Sequence, residues 1–332
     1  MSAWIWTVVL VAAAWLTNWG ADHLVGPFQK VRRRWGLTGV GGACLIGIFT
    51  GSPEYTTNSV SALRGVSDIG LGNMLGANIF SIPLVITVGW LAQRFGPVER
   101  TEDGRPLLHL EHATITVLTV PYLGIVALVG LLTLPAGWRG LQPIDGWIML
   151  GAYLAFLVQG LLRGRGESHR ERWTARGIAM ALLGVGALGL GAYLIVRSTE
   201  QIANALGISH LVGGLFLAGL ASIVPEALKT WKLVRAGQAT AGATSVIPDN
   251  AVTMTLGFLP LALVGTAIED FRLYCVNLAA AFLLAAVFAV VTYTGSRERG
   301  IDLREVLWLD GICVAWVGVV GWLIATGQIQ QG

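Results

Sequence analysis

FTGSPEYTTNSVSALRG, residues 49–65, sets a proline and a glutamate side by side within an apolar run. Proline has no backbone N–H, so it interrupts the helical ladder and leaves a carbonyl without its donor one turn earlier. A carboxylate at the centre of a bilayer costs about 2.5–3.5 kcal/mol even on the lenient insertion scale, and is expected to face a bundle interior or an aqueous cavity. The break and the charge together predict a polar site, on two conditions. The run must cross a membrane, and the feature must recur.

Composition meets the first condition. Of 332 residues, 54% are hydrophobic and 12% charged, and the mean hydropathy of +0.67 excludes an ordinary soluble globule. Apolar runs long enough to cross a hydrocarbon core of about 30 Å recur between short charged stretches. Ten are predicted, at 3–21, 38–63, 69–93, 112–134, 144–162, 177–198, 211–234, 240–265, 272–294 and 305–326. The expected fold is therefore an all-α integral membrane bundle. Assigning Lys and Arg to alternate sides of this scheme leaves only Arg64, Arg139, Arg197 and Arg272 on one side, and the other 18 of the 22 on the opposite side. By the positive-inside rule the richer side is cytoplasmic and both termini lie outside, in a cytoplasmic (inner) membrane of bacterial type. One span more or fewer would scramble that split.

Several other features follow the same reading. Trp4, Trp19, Trp35, Trp90, Trp138, Trp147 and Trp308 stand near span ends, as interfacial anchors do. The first span lacks a basic n-region and a small-residue exit and is expected to be a retained helix. Cys44, Cys275 and Cys313 fall inside apolar spans and are expected to pack as small hydrophobes. The formal charge of +3 arises in the loops, so membrane lipid is the expected partner and nucleic acid is not. No H-E-x-x-H or G-x-S-x-G constellation points to an intramembrane hydrolase, and no cofactor motif is present.

The second condition is met by an internal repeat. GLTGVGGACLIGIFTGSPE, residues 36–54, is echoed by GISHLVGGLFLAGLASIVPE, residues 207–226. Pro53-Glu54 returns as Pro225-Glu226, Gly65 as Gly237 and Asn78 as Asn250, each 172 positions later. Halves of five spans each, 1–165 and 166–332, would enter the membrane from opposite sides. Such an inverted-topology repeat places a site at the midplane where the halves meet.

Residues four apart share a helix face, which sets Thr50 beside Glu54 and Ser222 beside Glu226. Asp249 and Thr253 form a comparable pair in the following span, where the first half has Ala77 and Ser81. Asn78 and Asn250 are candidates either as ligands or as interhelical hydrogen-bonding groups. This set is oxygen-only, without His or Cys, and suits hard cations such as Na⁺ and Ca²⁺. Lys229, three residues after Glu226, is expected either to pair with Glu226 or Asp249 or to reach the cytoplasmic surface.

On the motifs FTGSPE and GNMLGANIFS, with ALRGVSDIGLGN between them, the chain resembles the sodium/calcium exchanger family. The second half, ASIVPE and TSVIPDNAVT, matches less closely. The resemblance implies alternating-access exchange of Ca²⁺ against Na⁺, with Glu54 and Glu226 as paired acidic ligands, Thr50 and Ser222 one turn before them, and Ala77, Ser81, Asp249 and Thr253 at the remaining ligand positions. It also implies that the first and sixth helices slide against the rest. Gly51, Ile223 and Ala77 stand where the family has hydroxyls, and Asp249 adds a carboxylate. Exchange against Na⁺, exchange against H⁺ and a non-transporting membrane protein with a degenerate site therefore remain open at this level.

Overall fold

The computed structural model describes residues 3–34, 39–95, 108, 115–163, 175–295 and 300–327. These residues are helical, with no strand among them beyond one isolated bridge between Leu108 and Ile301. The helices are α1 (Ala3–Arg34), α2 (Gly39–Thr50), α3 (Ser52–Leu63), α4 (Ser67–Gln93), α5 (Val120–Thr133), α6 (Pro143–Arg163), α7 (Ala175–Leu206), α8 (His210–Gly213), α9 (Gly219–Arg235), α10 (Ala239–Thr244), α11 (Val246–Thr255), α12 (Phe258–Leu263), α13 (Phe271–Gly295) and α14 (Leu303–Ala325). Wider π turns precede α5 at Ile115–Thr119 and join α8 to α9 at Gly214–Ala218.

Eight helical segments among the described residues are long and apolar enough to cross a membrane: Ala3–Leu24, Ser67–Gln93, Pro143–Leu162, Ala175–Leu206, His210–Arg235, Ala239–Leu263, Phe271–Tyr293 and Leu303–Ala325. The other two expected spans take a different form. The run 38–63 is divided between α2 and α3, which meet at Gly51, and the run 112–134 contains the shorter apolar segment Val117–Thr133. The expected polar loops 94–111 and 163–176 lie largely outside the described residues.

Proline placement explains why the two Pro-Glu segments differ. Pro53 stands in the first turn of α3, where its missing N–H costs nothing. The carbonyl it leaves behind, on Phe49, accepts instead from Ser52 Oγ at 2.7 Å. Pro225 lies inside a continuous α9, which a π turn at Gly214–Ala218 precedes. Both helices end alike. Gly65 and Gly237 adopt left-handed φ of 71° and 80°, and the following amides close back, Val66 N on Ser61 O at 3.0 Å and Gln238 N on Leu233 O at 2.9 Å. Glycine tolerates that backbone without a Cβ clash.

α4 is the axis of the bundle and packs on α9, α3, α11, α13 and α14. Its approach to the second Pro-Glu segment is backbone against backbone. A side chain at Gly72 or Gly76 would meet the Leu211–Leu215 backbone, and one at Gly219 would meet Gly76 and Ala77. Small residues make such crossings in membranes, where packing rather than solvent exclusion holds helices together. The same contact recurs 172 positions away, Gly47 lying against Pro248 as Gly219 lies against Gly76.

The outer helices show apolar faces. Trp4, Trp147 and Trp308 are exposed, as anchors should be, and so are Leu182, Leu183 and Val314. Trp90 is a correction: it is buried, with the Arg94 guanidinium 4.2 Å above its ring. Cys44 is fully buried, Cys275 and Cys313 are half-buried, and all three are free thiols. Asp68 sits in the first turn of α4, where a carboxylate is favoured by the helix dipole.

Candidate cation site

The two Pro-Glu segments converge where α4 and α11 pack between them. Glu54, in the first turn of α3, is buried, and its Oε2 has no hydrogen-bond partner. Glu226, in the middle of α9, also keeps a buried Oε1 without a partner. Asp249, in the first turn of α11, is buried and accepts a hydrogen bond from Thr50 Oγ1, which ties the end of α2 to α11. Glu226 faces Asp249 and Ser245, and all three acids act electrostatically on one another. A buried, unpaired carboxylate oxygen is costly, so two in one place mark a position that a cation or proton would relieve.

The remaining expected ligands have their hydrogen bonds directed elsewhere in this conformation. Ser222 Oγ lies 3.1 Å from Ala218 O and 3.3 Å from Asn73 Oδ1. Thr253 bonds back to Asp249 O at 2.9 Å, as hydroxyls in helices commonly do. Ser81 donates to Asn250 Oδ1 at 2.9 Å. Asn78 donates to Met74 O at 2.7 Å and accepts from Tyr122 OH at 2.8 Å, which makes it an interhelical tie between α4 and α5. Asn250 keeps a buried Nδ2 without a partner. Among the described residues no three His, Cys, Asp or Glu side chains are grouped to hold a metal ion, so a cation here would draw on hydroxyl and carbonyl oxygens as well as carboxylates.

Two asparagines enter that sequence reasoning passed over. Asn73 donates to Asn58 Oδ1 at 2.8 Å, and Asn58 donates to Gly257 O at 3.1 Å. The chain of bonds Ser222, Asn73, Asn58, Gly257 joins α9, α4, α3 and the α11–α12 turn behind the acids. The signals were present: Asn58 is one turn after Glu54 on the same face, and Asn73 and Ser245 are themselves 172 positions apart.

Lys229 pairs with neither Glu226 nor Asp249 and lies in a half-exposed setting, as the surface expectation has it. Its Nζ lies 2.8 Å from Asp22 Oδ1 of α1, with the two side chains 32% and 49% exposed. At the far end of the molecule Arg64, which caps α3, pairs with Glu200 of α7 at 2.9 Å and lies over the Tyr193 ring.

Comparison with known proteins bears on this arrangement. A family model described as sodium/calcium exchanger protein matches residues 4–160 and 176–324. A protein named as antiporter CaxA from Alkalimonas amylolytica is 24% identical over 234 residues, which are 66% of this chain and 68% of the relative. The sodium/potassium/calcium exchanger 2 of Homo sapiens is 28% identical over 125 residues, 36% of this chain and 17% of the relative. Among solved structures, the sodium-calcium exchanger NCX_Mj soaked with Na⁺ and Sr²⁺ superposes with a TM-score of 0.65 at 17% identity, covering 96% of this chain and 99% of that one. At that identity the likeness carries the fold.

Proposed function

The chain belongs to the sodium/calcium exchanger protein family, and from that premise we propose that it is a secondary antiporter exchanging Ca²⁺ for Na⁺ by alternating access. The family is one of transporters, not enzymes, and the chain is a multi-pass membrane protein. The observation that carries the proposal is the convergence of Glu54, Glu226 and Asp249 from three helices, with two carboxylate oxygens left unpaired in the interior. In this reading the acids, which are not grouped tightly enough to hold a metal ion in this conformation, close on the cation together with Thr50 and neighbouring hydroxyl and carbonyl oxygens. Ser222, Ser81, Thr253, Asn78 and Asn250 complete the set by turning inward when it is bound.

The ten-span, two-fold reading supplies the mechanism. The contacts at Gly47 and Gly219 and the glycine caps at Gly65 and Gly237 are what two inverted five-helix halves, 1–165 and 166–332, would produce. Each half then presents one acid-bearing helix, and exposing the acids to one face at a time couples the two ion movements. The proposed orientation, in the cytoplasmic membrane with both termini outside, rests on the distribution of Lys and Arg.

A second reading, cation/proton antiport, draws on one feature. Glu226 and Asp249 act electrostatically on each other in the interior, and such a pair of like charges can carry a proton in place of a cation. Ca²⁺ uptake by proteoliposomes under an imposed Na⁺ gradient, then under an imposed pH gradient, separates the two. Uptake driven by Na⁺ supports exchange against Na⁺. Uptake driven only by protons assigns the same acids to proton exchange.

A further inference from the structure

Lys229 stands three residues after Glu226 on α9, about 4.5 Å further along the axis. It is the cation whose charge acts on Glu54, Glu226 and Asp249 alike. Yet its ammonium group is directed away from them, onto Asp22. Two of the three acids keep an oxygen unpaired while a lysine nearby is held by a fourth acid on another helix.

The two partners belong to differently packed parts of the molecule. α1 and α7 run antiparallel and share their own small apolar cluster, Leu10, Ala13, Ile195 and Ile202, closed by Ala218. Most of the remaining buried apolar residues form one larger cluster. The seam between α1 and α7 is lined by Gly20, Gly184 and Gly191, which gives that pair a close fit of its own. Asp22 is therefore carried by the α1–α7 pair, while Lys229 is carried by the helix that holds Glu226. The ion pair crosses the boundary, and its half-exposed setting makes it weak enough to exchange. A lysine on a flexible four-carbon stem can reach an acid one turn back on its own helix, as Glu226 is.

We propose that Lys229 is a tethered competitor for the cation site and that Asp22 is the positioning residue that holds it off. With the Asp22 pair closed, the acids face a cation without a competing ammonium group. When α1 shifts relative to α9 and the pair opens, Lys229 turns to Glu226 and Asp249 and lowers their affinity for the cation. The inference rests on the exchanger reading above and adds to it a device for releasing the ion.

The test is Ca²⁺ binding by calorimetry to the purified full chain in detergent, for the wild type, Asp22→Asn, Lys229→Gln and the double variant, with Glu54→Gln as the site control and gel filtration to verify folding. Freeing the lysine is expected to weaken Ca²⁺ binding about tenfold in Asp22→Asn, while Lys229→Gln, which removes the competing charge altogether, binds Ca²⁺ no more weakly than the wild type. The double variant is expected to return to within about twofold of the wild type. Asp22→Asn within twofold of the wild type would overturn the proposal, since the pair would then be a surface contact only. A loss that persists in the double variant would also overturn it, assigning Asp22 a role of its own. If the wild type itself binds no Ca²⁺, or binds it as well after Glu54→Gln, the exchanger reading fails together with the inference.

Discussion

At the scale of single residues, the account turns on which polar groups have partners. Glu54 and Glu226 hold unpaired oxygens, whereas Asn78 is satisfied on both sides by Met74 and Tyr122. Substitution should divide along that line. Glu54→Gln and Glu226→Gln are each expected to lower Ca²⁺ uptake at least about tenfold, equivalent to ~1.4 kcal/mol, in a proteoliposome flux assay. Tyr122→Phe removes one interhelical hydrogen bond and is expected to keep uptake within about twofold of the wild type while lowering thermal stability by about 0.6 kcal/mol, read from a melting curve. Thr50→Val deletes the hydroxyl that Asp249 accepts from and is expected to change Ca²⁺ affinity by about 1 kcal/mol, measured by calorimetry. The acids were legible because a charge inside an apolar run is expensive and a repeated one is hard to explain as accident. The Asp22–Lys229 pair was not, because its members are far apart in sequence and only the packing of α1 on α9 brings them together.

At the scale of elements, the apolar runs were legible from hydropathy, and their internal breaks only in part. Proline announced an irregularity at 53 and at 225, but the first falls at a helix start and the second inside a continuous helix that a π turn at Gly214–Ala218 precedes. Sequence alone does not say where the strain of a missing hydrogen bond will be taken up, because the neighbours decide it. Ser52 can cap the Phe49 carbonyl in the first half, whereas Val224 holds the corresponding position in the second. Trp90 shows the same limit, since proximity to a span end does not reveal which face of α4 meets the core. The crossing of α4 on the second Pro-Glu segment depends on glycine at 72 and 76. Gly76→Val would push a side chain into the Leu215 backbone and is expected to cost about 1–3 kcal/mol, seen as a lower melting temperature or as loss of folded protein from gel filtration.

At the scale of the whole molecule, the charge distribution and the recurrence at 172 positions make a linked claim about topology. Ten crossings with both termini outside place the 135–142 turn on the exterior and the α9–α10 turn in the cytoplasm. In a background lacking the three native cysteines, a membrane-impermeant thiol reagent applied to right-side-out vesicles should label Gly137→Cys and leave Gln238→Cys unlabelled until the membrane is opened. Labelling of both positions from outside would remove the inverted arrangement and with it the midplane site. The halves are unlike in detail. Their helix caps and glycine contacts correspond, but Ala77 stands opposite Asp249, and Thr57 opposite Lys229. The helix caps and glycine contacts recur at 172 positions, while the acid at 249 and the lysine at 229 have no counterpart at 77 and 57.

The most direct measurement is Ca²⁺ uptake into proteoliposomes driven by an outward Na⁺ gradient, comparing the wild-type chain with Glu54→Gln. The account predicts uptake that depends on the gradient and falls at least about tenfold in the variant. Gradient-dependent uptake that survives in folded Glu54→Gln protein would contradict it, because the carboxylate at the break between α2 and α3 would then lie outside the ion's path.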